Sequence, residues 1–181
     1  MKYLFFFFLL LSTDFLWASP VIETIQAYSL TRKTTETLLL SKAQKPTVVV
    51  FLSKDCPCSK GNLDYINELA QQFTSFRFIG IHSKKQTTPD EVNLYLQDKN
   101  IRFDVFNDPD LTIADQFKAL KTPHAFILST TGEILYNGGV TNSTFPKNAK
   151  DFFLRDAIIN IQNHKAPVKT ETKALGCFIV R

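Results

Sequence analysis

The stretch Thr47-Val48-Val49-Val50-Phe51-Leu52-Ser53-Lys54-Asp55-Cys56-Pro57 decides how this chain folds. Its first six residues are a continuous, β-branched apolar run, the pattern of a strand buried on both faces. Downstream, Leu63, Ile66, Leu69, Ala70 and Phe73 recur at helical spacing. That spacing predicts an amphipathic helix over 57–73, with Pro57 in its first turn, where a missing N–H costs nothing. Cys56 therefore sits where a buried strand turns into a helix. A thiol there faces unpaired backbone N–H groups and the positive end of the helix dipole, and both favour the thiolate, the nucleophilic form. Lys54 and Lys60 add positive charge, and Asp55 opposes them.

Working outward, Phe76–Ile81 reads as a second strand. Thr88-Pro89-Asp90-Glu91 opens a second helix, with Thr88 as N-cap and acids in its first turn. Phe103–Phe106 is a short extended segment, and 110–120 a short helix with Asp110 as its cap. Ala125–Leu128 and Glu133–Tyr136 flank a turn containing Gly132, the signature of a β-hairpin. Phe152–Ile161 is a last amphipathic helix. Residues 20–45 are polar and Thr-rich, with one short strand at Ile25–Leu30. The order βαβαβαββα predicts an α/β fold around a central mixed sheet flanked by helices.

The 181 residues, 44% hydrophobic and 21% charged, suit one domain and exclude a disordered chain. Lys2 followed by the apolar run Tyr3–Leu11 has the layout of a secretory signal, too short to span a membrane. The expected cleavage follows Ala18, so contact with the membrane would come only through an uncleaved signal segment. Residues 1–18 contain one Lys, one Asp and five of the seventeen Phe, so the charge of +4 survives their removal. Basic residues occur only in short pairs such as Lys84-Lys85, which gives no footprint for nucleic acid. All three cysteines remain after cleavage, and an exported, periplasmic or secreted chain would meet an oxidising compartment.

The Cys-Pro at a helix start, the Thr122-Pro123 pair before Ala125–Leu128 and the turn at Gly132 together resemble the thioredoxin fold. The run 48–57, Thr122–Leu128, Gly132–Gly139 and the closing Gly176-Cys177-Phe178-Ile179 look like the redoxin branch, the alkyl hydroperoxide reductase/thiol-specific antioxidant superfamily and its secreted relatives. The resemblance covers residues 46–181. It implies a signal peptide at 1–18, an N-terminal extension at 19–45, a thioredoxin-like domain at 46–163 and a tail at 164–181 carrying Cys177. It implies thiol–disulfide oxidoreductase chemistry, with Thr122 and Pro123 shaping a substrate-facing loop. A cis bond at Thr122-Pro123 would set that loop against the helix start of Cys56.

The departures from the family are informative. Thioredoxin-type enzymes space two cysteines by two residues, whereas here Cys58 follows Cys56 after one and Ser59 holds the usual place. A disulfide across one residue closes a small, strained ring. Peroxidases of the branch carry a Pro seven residues before the reactive Cys and a Thr or Ser three before it; these positions are Val49 and Ser53. The active-site arginine has only Arg77 and Arg102 as candidates. Cys177 is either a resolving thiol on a mobile tail or a spare or structural one. His124 follows Pro123 and is an accessory base or ligand if the loop packs on Cys56. His82 ends a strand at the same sheet edge as Cys56, and a lone His there is weak grounds for a ligand.

The expectation is an exported thiol–disulfide oxidoreductase with Cys56 as nucleophile and Cys58 or Cys177 resolving. Its partners would be protein thiols or disulfides and a redox partner protein, with no cofactor. One alternative is a peroxiredoxin-like antioxidant that reduces small peroxides through a sulfenic acid at Cys56. Another is a copper-binding or metallochaperone module, with Cys56, Cys58 and His124 as soft or borderline ligands.

Overall fold

The computed structural model describes residues 20–181, so the expected signal segment lies outside the described residues. The chain forms β1 (Thr24–Ser29), β2 (Thr34–Leu39), β3 (Thr47–Leu52), α1 (Pro57–Gln72), β4 (Arg77–Ser83), α2 (Pro89–Leu96) and β5 (Asp104–Asp108). After these come α3 (Thr112–Gln116), β6 (Lys121–Thr122), β7 (His124–Leu128), β8 (Ile134–Gly138), α4 (Phe153–Gln162) and β9 (Cys177–Phe178). Seven strands make one mixed sheet in the order β2-β1-β5-β4-β3-β7-β8, and β6 pairs with β9 in a separate ribbon. Strands β3, β4 and β5 run parallel, with β7 antiparallel to β3. This is a thioredoxin-like fold with helices on both faces of the sheet.

Every residue of β3 is buried, as its unbroken apolar run requires. Successive side chains point to opposite faces. Val48, Val50 and Leu52 join Leu63, Ile66 and Leu69 of α1 and Leu154 and Ile158 of α4 on one face. Val49 and Phe51 join Phe106, Ile113 and Phe126 on the other. There Phe51, Phe117 and Phe126 pack edge to face, with ring centroids 5.1–5.7 Å apart. This two-sided burial holds the end of β3, and hence Cys56, against a rigid core.

The helix starts follow the local chemistry. Thr88 and Glu91 form a reciprocal capping box at the head of α2. Asp110 does not cap α3. Asp108 does, accepting from the N–H groups of Ile113 at 3.1 Å and Ala114 at 3.0 Å. It also accepts from the Ser83 hydroxyl at 2.7 Å. As the buried last residue of β5, its carboxylate meets the helix N-terminus directly, which helical spacing alone does not reveal.

Residues 24–39 contribute two strands rather than one. β1 pairs antiparallel with both β2 and β5, so this segment extends the main sheet. β2 is an edge strand with mostly exposed residues, so its Thr-rich sequence carries no strong apolar alternation. The end of the chain also departs from expectation. It is a strap across the molecule rather than a free tail. Asn137 exchanges backbone hydrogen bonds with Thr170 and Thr172 at 2.9 and 3.0 Å, and the Thr172 hydroxyl lies 2.7 Å from the Tyr136 hydroxyl. Beyond it, Ile179 N–H donates to Leu120 at 3.0 Å and Arg181 pairs with Asp115 at 2.7 Å. Among the described residues, no helix is long and apolar enough to cross a membrane.

Candidate active site

The turn from β3 into α1 is built by serines. Ser53 N–H donates to Ser59 Oγ at 3.2 Å, and Ser53 Oγ accepts from Asp55 N–H at 3.4 Å. Ser53 therefore shapes the loop beneath the thiol. Cys56 is the N-cap of α1, in the extended conformation that a residue before proline prefers. Its Sγ accepts from Ser59 N–H at 3.4 Å, doing with sulfur what a Ser or Asp oxygen usually does. His82 braces the same loop, its Nε2 accepting from Lys54 N–H at 3.0 Å. Burial holds its pKa down to about 4, so it is neutral, and it is not among the groups clustered at the thiols.

From the other side, β6 and β9 complete the site. Lys121 lies opposite Phe178, and Thr122 opposite Cys177. The Thr122–Pro123 peptide bond is cis. The Thr122 carbonyl accepts from the Cys56 thiol at 2.8 Å. An added Cβ on Gly176 would run into that same carbonyl, so glycine is what lets the strap come this close. As a result, the sulfurs of Cys56, Cys58 and Cys177 all lie within 4.8 Å of one another. All three are free thiols, with Cys56 buried and the other two half-buried.

The three thiols differ in character. Burial pushes the Cys56 pKa up. Hydrogen bonds from the Cys177 thiol, the Thr122 side chain and the backbone N–H groups of Ser59 and Cys177 outweigh it, bringing the group down to about 7. Cys177 moves the other way, to about 11, mainly because its proton is held in the hydrogen bond to Cys56, with burial adding to this. Burial, and then the charge on Cys56, push Cys58 up as well. Cys56 is thus the most readily ionised of the three, and in its thiolate form it accepts from Cys177. Ultraviolet absorbance of the reduced protein should show a single thiolate step near pH 7, moving upward in Cys177→Ala, which removes the donor side chain. A first step at or above pH 9 in the wild type would contradict this assignment.

A cavity of about 330 Å³ opens beside Cys56 and Cys177, walled by Phe178, Ile179 and Val180 and edged by Lys84 and Lys85. Phe178 and Val180 are 71% and 78% exposed. Lys84 is engaged by Asp55, whose carboxyl is lowered chiefly by that hydrogen bond. Sequence reading did not single out these lysines or the Phe178–Val180 wall as part of the site. The adjacency of the Lys84-Lys85 pair to His82, at the strand end on the thiol's edge, is the one sequence signal for them, and by itself it reads only as a short basic pair.

Other candidates lie elsewhere. His124 is buried on β7 with both ring nitrogens engaged: Nδ1 accepts from Leu120 N–H at 3.3 Å and Nε2 lies 2.7 Å from Asn137 Oδ1. It supports the β6–β7 corner and is not in the sulfur cluster. Cys177 takes the place beside Cys56 and Cys58 that the sequence reading offered to His124. Arg77 pairs with Thr47, at the opposite end of β3 from Cys56, and lines a separate depression with Arg102. Neither guanidinium belongs to the thiol site. Lys54 Nζ lies between Asp55 and Glu91 at 3.5 and 3.6 Å, and Lys60 Nζ lies over the Tyr95 ring.

Residues 25–179 match the model of a family described as a domain of unknown function, DUF6436. No curated protein matches. Among solved structures, the chain is similar to an uncharacterized conserved protein from Geobacillus kaustophilus. The two share 18% identity over 91% of this chain and 92% of that one, with a TM-score of 0.80. A hypothetical protein from Sinorhizobium meliloti 1021 is 20% identical over 90% and 93% of the two chains, with a TM-score of 0.78. The thioredoxin domain of a thiol-disulfide oxidoreductase from Bacteroides vulgatus is 17% identical over 67% of this chain and 88% of that one, with a TM-score of 0.56. At these identities the likeness is one of fold.

Proposed function

The chain belongs to the DUF6436 family, a domain of unknown function, and we propose that it is an exported, periplasmic or secreted thiol–disulfide oxidoreductase. Cys56 is its nucleophile and Cys177 its resolving thiol. The observation that carries this reading is the β6–β9 ribbon, which holds Cys177 against a helix-capping thiol lowered to about 7. The thioredoxin-like fold and the likeness to a domain of a thiol-disulfide oxidoreductase support it.

The chemistry proceeds in two exchanges. The Cys56 thiolate attacks one sulfur of a substrate disulfide; that S–S bond breaks and the other sulfur leaves as a thiolate, taking up a proton. Cys56 is then a neutral mixed disulfide, so the hydrogen bond that raised Cys177 is gone and Cys177 ionises more readily. Its thiolate attacks Cys56 Sγ, a Cys56–Cys177 disulfide forms, and the substrate's second sulfur departs. The substrate gains two electrons and the protein loses two, which a dithiol partner protein would restore. Cys58 is the poorer resolver, because a bond to Cys56 would span a single residue within the first turn of α1. The peroxide-reducing alternative finds no arginine among the described residues lining the cavity at Cys56.

Mild oxidation followed by digestion without reductant and mass spectrometry tests the pairing. The expected product joins the peptides of Cys56 and Cys177 and leaves Cys58 open to alkylation. A Cys56–Cys58 link as the main product would overturn the assignment of the resolving thiol.

A further inference from the structure

We propose that the reduced protein holds one Cu(I) ion in a three-thiolate site made by Cys56, Cys58 and Cys177. This goes beyond disulfide exchange and concerns the same sulfurs in their reduced state. Three sulfur donors within 4.8 Å of one another form the metal-ligating group of this protein among the described residues, and no histidine or carboxylate joins them. Soft thiolates select soft ions. A structural zinc site needs four protein ligands, and a catalytic one commonly includes histidine or carboxylate. Three thiolates with no fourth donor instead suit a low-coordinate, monovalent soft cation.

The backbone already brings the donors together. Cys56 is fixed as the N-cap of α1, Cys58 lies in the first turn of that 16-residue helix, and Cys177 is set by β-pairing to Thr122. Two sulfurs at the head of one helix and a third on a paired strand need little ordering on binding, which lowers its cost. The complex carries net negative charge. It forms at the positive end of α1 and beside a cavity where Lys85 adds positive charge and Asp55 is paired with Lys84, which favours that charge. Binding forms up to three Cu–S bonds and releases the protons the thiols carry, so affinity rises with pH. Copper stays Cu(I) throughout, and no electron moves. A Cys56–Cys177 disulfide removes two of the three donors, so the metal-loaded and disulfide forms exclude each other.

The test is an anaerobic titration of the reduced protein with Cu(I) against a chromogenic Cu(I) chelator, with X-ray absorption to count sulfurs. Expected are one Cu(I) per chain with three sulfur neighbours, and no binding by the diamide-oxidised protein. Cys177→Ser and Cys58→Ser should each weaken binding by at least about tenfold and lower the sulfur count to two. Circular dichroism establishes that each variant is folded, and the half-buried Cys58 supplies the second reading if Cys177→Ser loosens the strap. The proposal is overturned if the chelator keeps all the copper, or if Cys58→Ser retains wild-type affinity and three sulfurs. Disulfide exchange without copper binding would defeat this inference alone. Copper binding without exchange would defeat the redox reading and leave this one standing.

Discussion

Cys56→Ser is expected to lower disulfide reductase activity by at least about 10³-fold while leaving the fold intact. Losing a nucleophile costs orders of magnitude, because a serine hydroxyl is not ionised near neutral pH and a thiol at about 7 is. The neighbouring thiols cannot replace it. Cys58 is held up chiefly by burial, and Cys177, although released from its bond to Cys56, lies on the strap without the place at the head of α1 that favours a thiolate. Stability should survive because the residue is the N-cap of α1, a position where serine is among the preferred residues. The measurement pairs turnover of a model disulfide with thermal melting. A stable Cys56→Ser protein with activity near wild type would move the nucleophile to another cysteine.

Gly176→Ala should have the largest effect of any change outside the thiols. The new Cβ would meet the backbone carbonyl of Thr122, and a main-chain atom within a paired ribbon has little room to yield. Either the strap lifts or the Thr122–Pro123 corner shifts, and overpacking of this kind costs about 1–3 kcal/mol. The consequence for function is greater than for stability. If Cys177 moves away, Cys56 loses both its thiol and its backbone N–H donor. The thiolate step should then rise well above pH 7, and the yield of the Cys56–Cys177 disulfide should collapse. Denaturant melts, thiolate absorbance and disulfide mapping on one preparation check all three outcomes. A variant that keeps its step at pH 7 and pairs Cys56 with Cys177 in full yield would show that the close approach of Gly176 is not what delivers Cys177.

Much of the site's scaffold was legible in short stretches. The apolar run of β3, Pro57 at the head of α1, and the Thr88 to Glu91 cap all act over a few residues. Their physics is therefore written in neighbouring side chains. Asp108 displaced Asp110 as the α3 cap because the cap depends on where a strand ends against a helix, which spacing does not encode. β2 carried little signal because an edge strand exposes most of its residues to water. β6 and β9 are two residues each, too short for any periodicity to reveal.

The sequence by itself determined the central strand, the helix that follows it, and the placing of Cys56 at the junction. From these came the thioredoxin-like class and the position of the proposed nucleophile. Only the tertiary structure decided which partners that thiol has. It placed His124 in the β6–β7 corner and Arg77 at the far end of the sheet, and it brought Cys177 across from the end of the chain. The reason is range. Helix starts and buried strands are set by contacts within one or two turns. The meeting of Cys56 with Cys177 depends on a strap pinned at Asn137, Tyr136 and Leu120 and on a glycine that clears one carbonyl, contacts between segments far apart in the chain.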